Sequence, residues 1–183
     1  TRQLMEFFQN YYDVPYPLSK YDQIVVPDFN AGAMENMGAV TFSERFISRG
    51  EKTNADLFRL TYVIAHEMAH MWFGDIVTME WWDDLWLNES FATYMGYLGT
   101  VEATEFKNAW DIFYSSGKTS AYRADDLVTT HPVSPGNVLT TSDAFASFDT
   151  ITYQKGSALL KQLPYFIGEE NFRQGVSNYI KEH

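Results

Sequence analysis

Five consecutive residues, His66-Glu67-Met68-Ala69-His70, followed after eighteen intervening residues by Glu89, constrain this chain more than any other feature. An α-helix turns about 100° per residue, so His66 and His70 leave one face a single turn apart. Two imidazoles at that separation can grip one tetrahedral zinc ion, and a carboxylate such as Glu89 can supply the third ligand. A fourth position left open for water separates a catalytic zinc from a structural one. Glu67 lies in the same turn but is not needed as a ligand, which frees it to act as general base on zinc-bound water. Four histidines and twelve glutamates among 183 residues give a shuffled-sequence expectation of roughly 0.006 such pentapeptides, so coincidence is a poor explanation.

The motif needs a helix, and its flanks predict one. Leu57, Leu60, Ile64, Met68 and Met71 recur at three- and four-residue spacing. Asn54 is the expected N-cap, Asp56 suits the first turn, and Gly74 is the expected stop. Glu89 lies in the apolar, aromatic stretch Trp81 to Ala92, with Asp83 or Asp84 expected to cap a second helix that runs to Gly99. A carboxylate in such surroundings needs a partner, because burying it alone is costly. A metal ion is a sufficient one.

Elsewhere, Gln3 to Tyr12 reads as a helix, Tyr21 to Pro27 and Gly38 to Phe46 as strands, and Asn30 to Gly38 as a Gly-rich connection between them. A short extended piece is expected around Ile76 to Met79, a helix over Ala103 to Tyr114, and a long surface connection from Ser115 to Val138. From Ser142 onwards helical spacing returns, interrupted at Pro164 and Gly168. No linker divides the chain, so residues 1–183 are expected to form a single domain, and both ends read as cut from a longer protein. A formal net charge of −11 argues against a nucleic-acid partner, and no apolar run is long enough to span a membrane. With no cysteine there is neither a disulfide nor a thiolate ligand, and no residue pattern specifies a compartment.

Gly32-Ala33-Met34-Glu35-Asn36 stands ahead of the histidine motif, and Trp86-Leu87-Asn88-Glu89-Ser90 and Thr152-Tyr153-Gln154-Lys155-Gly156 follow it. In this combination the chain resembles the zinc aminopeptidases of the aminopeptidase N type, within the gluzincin peptidases, from about Tyr11 to the C-terminal end. The resemblance implies an α+β, mainly helical fold: a thermolysin-like catalytic domain with a small β-sheet beside a helical lobe. It implies one zinc per chain on His66, His70 and Glu89, with Glu67 as base. It makes Glu35 the anchor for a substrate's free α-amine, with the Gly32–Asn36 segment, chiefly the backbone at Gly32 and Ala33, along the substrate main chain. It makes Tyr153 the donor to the tetrahedral oxyanion. It also implies an N-terminal β-rich domain and a following helical domain, neither of which is among these residues. Ser90 and Met37 depart from the commoner Gly and Trp of the family, and Ala33 favours a plain aminopeptidase over the epoxide-hydrolysing relatives. His131 and His183 are expected to be structurally neutral.

The function expected is hydrolysis of the N-terminal peptide bond of peptides, with neutral or basic first residues. The rivals are a thermolysin-like endopeptidase, which needs no amine anchor, and a non-catalytic binding module that keeps the fold. The second would be expected to lose a ligand or the base, and all are present here.

Overall fold

A computed structural model describes residues 1–47 and 50–183. Its N-terminal part holds a helix, α1 (Arg2–Tyr12), and three strands, β1 (Asp22–Val26), β2 (Ala33–Met34) and β3 (Ala39–Ser43). The strand order is β1-β3-β2. β1 runs parallel to β3 with Asp22 opposite Ala39, and β2 runs antiparallel to it with Met34 opposite Thr41. Strand β2 falls inside the Gly-rich segment expected to be a connection; two residues are too few for any periodicity to reveal. The strand expected over 38–46 stops at Ser43, which caps a 3₁₀ turn over Glu44–Phe46.

Two long helices follow, α2 (Asn54–His70) and α3 (Leu85–Ala103). Thr53, not Asn54, is the N-cap of α2: its hydroxyl accepts from Asp56 N at 3.2 Å while Asp56 Oδ2 accepts from Thr53 N at 3.0 Å. The reciprocal pair requires an acid three residues after the cap, and only Thr53 has one here. Asp84 precedes α3 without capping it through its side chain. The second helix also does not end at Gly99. A Cβ there would lie 2.9 Å from Phe8 Cζ, so this glycine sits inside the helix where α1 crosses it. Phe8, Tyr12, Trp72 and Phe73 fill the space beneath, all buried, with Trp72 Nε1 donating to Val14 O at 3.0 Å.

Where a helix was expected over 103–114, α3 ends at Ala103 and the chain turns before α4 (Ala109–Ile112). The surface connection expected from Ser115 is helical for its first half: a π-helical turn, Phe113–Lys118, leads into α5 (Thr119–Asp125). Ser, Gly and Thr are weak helix formers, so tertiary packing decides here. The Phe113 ring packs over Gly117, where a Cβ would come within 3.0 Å of it, and joins Phe58, Tyr97 and Ala109 in a second buried cluster. The rest comprises α6 (Thr141–Ala146), a π-helical turn Ile151–Lys155, α7 (Gly156–Leu160), α8 (Leu163–Ile167) and α9 (Glu169–Glu182). Pro164 stands in the first turn of α8, where its missing N–H costs nothing. Gly168, at φ 89°, makes the break before α9. Among the described residues no helix is long and apolar enough to cross a membrane.

Candidate active site

The C-terminal half of α2 carries His66, Glu67 and His70 into the interior, and the second turn of α3 brings Glu89 opposite them; all four are buried. The helices approach this closely because Gly96 has no side chain. A Cβ there would lie 3.2 Å from both the Cα and the N of His66. His66 Nε2 and His70 Nε2 are 3.2 Å apart, and Glu89 Oε2 lies 3.4 Å and 3.3 Å from them. Three ligands of a tetrahedral ion with bonds near 2.0–2.1 Å stand about 3.3 Å apart, so this triangle has the size a zinc ion requires.

Electrostatics points the same way. Among the described residues, buried Glu89 Oε2 has no hydrogen-bond partner. His70 Nδ1 lies 2.9 Å from Phe73 O, which can only accept, so Nδ1 carries a proton and Nε2 is the nitrogen that would meet a metal. The turn that brings Phe73 O there depends on Gly74 at φ 142°, whose Cβ would meet His70 Nδ1 at 3.0 Å. Burial opposes charge on the His70 ring, yet the carboxylates of Glu89, Glu35 and Glu67 outweigh it and raise the ring to about 10. Burial would raise Glu89, but His70 and His66 hold it well below the usual carboxylate range. Two imidazoles with one carboxylate form a donor set suited to zinc.

Around the triangle, burial pushes the Glu67 carboxyl up to about 7; Glu35 and Glu89 add to the rise and the two histidines oppose it. An acid near neutrality can both take and return a proton. Glu35 Oε1 lies 3.8 Å from His70 Nδ1, just beyond the end of β2. Ala33 and Met34 pair with β3, Gly32 O accepts from Ser43 N at 2.9 Å, and Asn36 O accepts from Ala39 N at 2.9 Å. β2 is thereby pinned along one side as the edge strand, next to α2. The Tyr153 ring stacks near His66 at 5.9 Å between centroids. Burial, then the Glu89 charge, push its phenol far above the ordinary range, so it stays a hydrogen-bond donor.

Some participants were not foreseen. Asp75, at the turn after α2, lies near Glu35 and His70 and is raised to about 6, by burial first and then by Glu35. His131 is not neutral in structure: its Nε2 lies 2.9 Å from Asp149 Oδ2, and Asp149 caps the turn that carries Tyr153. Asp149 ahead of Thr150-Ile151 was a readable cap signal; the contact of His131 with it was not. His183 lies against the Tyr179 ring on α9.

A small mixed sheet, a helical lobe and a buried His-His-Glu group together describe a metallopeptidase catalytic domain. The chain belongs to peptidase family M1, whose domain matches residues 1–183. It is 48% identical over 185 residues to Aminopeptidase N of Streptomyces lividans, covering 100% of this chain and 22% of that protein. It is 42% identical over 183 residues to Leucyl aminopeptidase of Saccharolobus solfataricus, covering 100% of this chain and 23% of the relative. Aminopeptidase N of Bos taurus is 43% identical over 185 residues, which cover 99% of this chain and 19% of the bovine protein. The chain thus spans about a fifth of the length of these relatives.

Proposed function

We propose that the protein is a zinc-dependent aminopeptidase that removes the first residue of peptides with a free N-terminal amine. The observation that carries this reading is the 3.2–3.4 Å triangle of His66, His70 and Glu89, with Glu67 in the same turn and Glu35 beside it. Relatives named aminopeptidases across the whole of this chain support it.

His66, His70 and Glu89 would hold the ion, and zinc bound there supplies a Lewis acid for the peptide carbonyl and lowers the pKa of a water molecule. Glu35 pairs with the α-ammonium group of the substrate, a charge-assisted contact that fixes the scissile bond one residue from the terminus. The free edge of β2 offers backbone groups to the extended substrate chain. Glu67 takes a proton from the attacking water and returns it to the leaving amine. Tyr153 donates its hydroxyl to the carbonyl oxygen as negative charge develops there.

Paired peptides, one with a free amine and one N-acetylated, test the reading. Cleavage of the free peptide alone, with discrimination weakened in Glu35→Ala, is expected. Equal cleavage of both by the unaltered protein would contradict the anchor and favour an endopeptidase.

A further inference from the structure

The turn that carries Tyr153, Ile151–Lys155, winds as a π-helix. Such turns are rare, occur mostly as single insertions in α-helices, and often stand at functional sites. Two groups outside the turn grip its backbone. Before it, Asp149 Oδ1 accepts from Ile151 N at 2.9 Å and from Thr152 N at 3.2 Å, while Asp149 O accepts from Tyr153 N at 3.1 Å. The other carboxylate oxygen faces His131 Nε2 at 2.9 Å, and the second ring nitrogen of His131 faces Pro132 O at 2.7 Å.

From the opposite side, Ser90 Oγ donates to Thr152 O at 2.6 Å. Ser90 follows Glu89 directly on α3, and Thr152 directly precedes Tyr153; both are buried. A serine or threonine inside a helix ordinarily bonds back to its own helix, as Thr100 does to Gly96 O at 2.7 Å. Ser90 instead reaches a carbonyl 62 residues away. Gly156 leaves room for that contact: a Cβ there would overlap Ser90 Oγ and stand 2.8 Å from Ser90 Cβ. The residue beside the acidic member of the metal triangle is therefore tied to the residue beside the phenol.

We propose that Ser90 and Asp149 are positioning residues for Tyr153: Ser90 fixes the turn to the Glu89-bearing helix, and Asp149, braced by His131, fixes its amides, so the hydroxyl stays where the reacting oxygen will be. This rests on the reading of Tyr153 as donor to that oxygen. The consequence is that both residues act only through Tyr153.

A double-mutant cycle on the purified protein tests this. Ser90→Ala, Asp149→Ala and Asp149→Asn are each made alone and with Tyr153→Phe. The readouts are kcat, KM, zinc content and the affinity of a phosphinic pseudodipeptide, a tetrahedral mimic of the reacting centre. Tyr153→Phe should lower kcat about 10²–10³-fold. Ser90→Ala and Asp149→Ala should each lower it about ten-fold. KM and zinc content should hold, and phosphinate affinity should fall in the same proportion as kcat. Asp149→Asn keeps the accepting oxygen and should recover most of the Asp149→Ala loss. In the Tyr153→Phe background none should have a further effect. Additive losses, or losses confined to KM or zinc, overturn the positioning claim alone. An unimpaired Tyr153→Phe overturns the donor reading itself, and the positioning claim falls with it.

Discussion

Replacing Gly96 by alanine is predicted to weaken metal binding without replacing a ligand. The added methyl would stand 3.2 Å from His66 Cα and N and 3.3 Å from Tyr62 Cε2. Carbon atoms rest at about 3.5–4.0 Å, so α2 and α3 must part by a few tenths of an ångström. The atoms met first are the backbone of His66, so the separation moves His66 away from Glu89. Alanine gains about 0.8–1 kcal/mol over glycine in a helix interior. Overpacking a tight contact costs about 1–3 kcal/mol. The net is a destabilisation of up to about 2 kcal/mol. Zinc sites tolerate about 0.2 Å in ligand distance, and disturbing the groups that orient ligands typically costs about 10–100-fold in affinity. Gly175→Ala in α9 is the control: among the described residues, nothing beyond its chain neighbours and its own helix backbone lies within 4 Å of the added Cβ. It should gain stability by about 0.5–1 kcal/mol and leave the metal alone. Urea unfolding of the chelator-treated variants gives the stabilities, and competition with a chromogenic chelator gives the zinc affinities. If Gly96→Ala matched Gly175→Ala in both, the close approach of the helices would not be what seats the metal.

Glu67→Gln keeps the shape of the base but not its proton affinity; turnover should fall about 10²–10⁴-fold with zinc content unchanged. Kinetics and metal analysis on one preparation check it, and an active variant would remove Glu67 from the mechanism. Thr53→Ala breaks the capping box of α2 at its exposed end and should cost about 1 kcal/mol in urea unfolding while the triangle still binds zinc.

What could be read from the residues was what depends on near neighbours. The spacing of His66, Glu67 and His70 is local, and the α2 pattern around it was visible at a period of 3.6 residues. Glu89 was readable because its apolar setting demanded a partner. Helix ends went astray wherever a distant contact overrode a local signal. Gly99 looks like a stop, but Phe8 of α1 packs on it. Ser115 to Val138 looks like loop, but Phe113 and its buried cluster hold the first half as helix. The roles given to Glu35 and Tyr153 came from resemblance alone, since nothing local distinguishes one glutamate of twelve or one tyrosine of twelve. The contacts of Ser90 with Thr152 and of His131 with Asp149 were not legible, because they span 62 and 18 residues of chain.

Metal analysis of the purified protein tests the central claim most directly. One zinc per chain, retained through gel filtration and lost on Glu89→Ala, is the expected result. Protein from a zinc-supplied preparation that is metal-free, and takes up no zinc on dialysis, would contradict it.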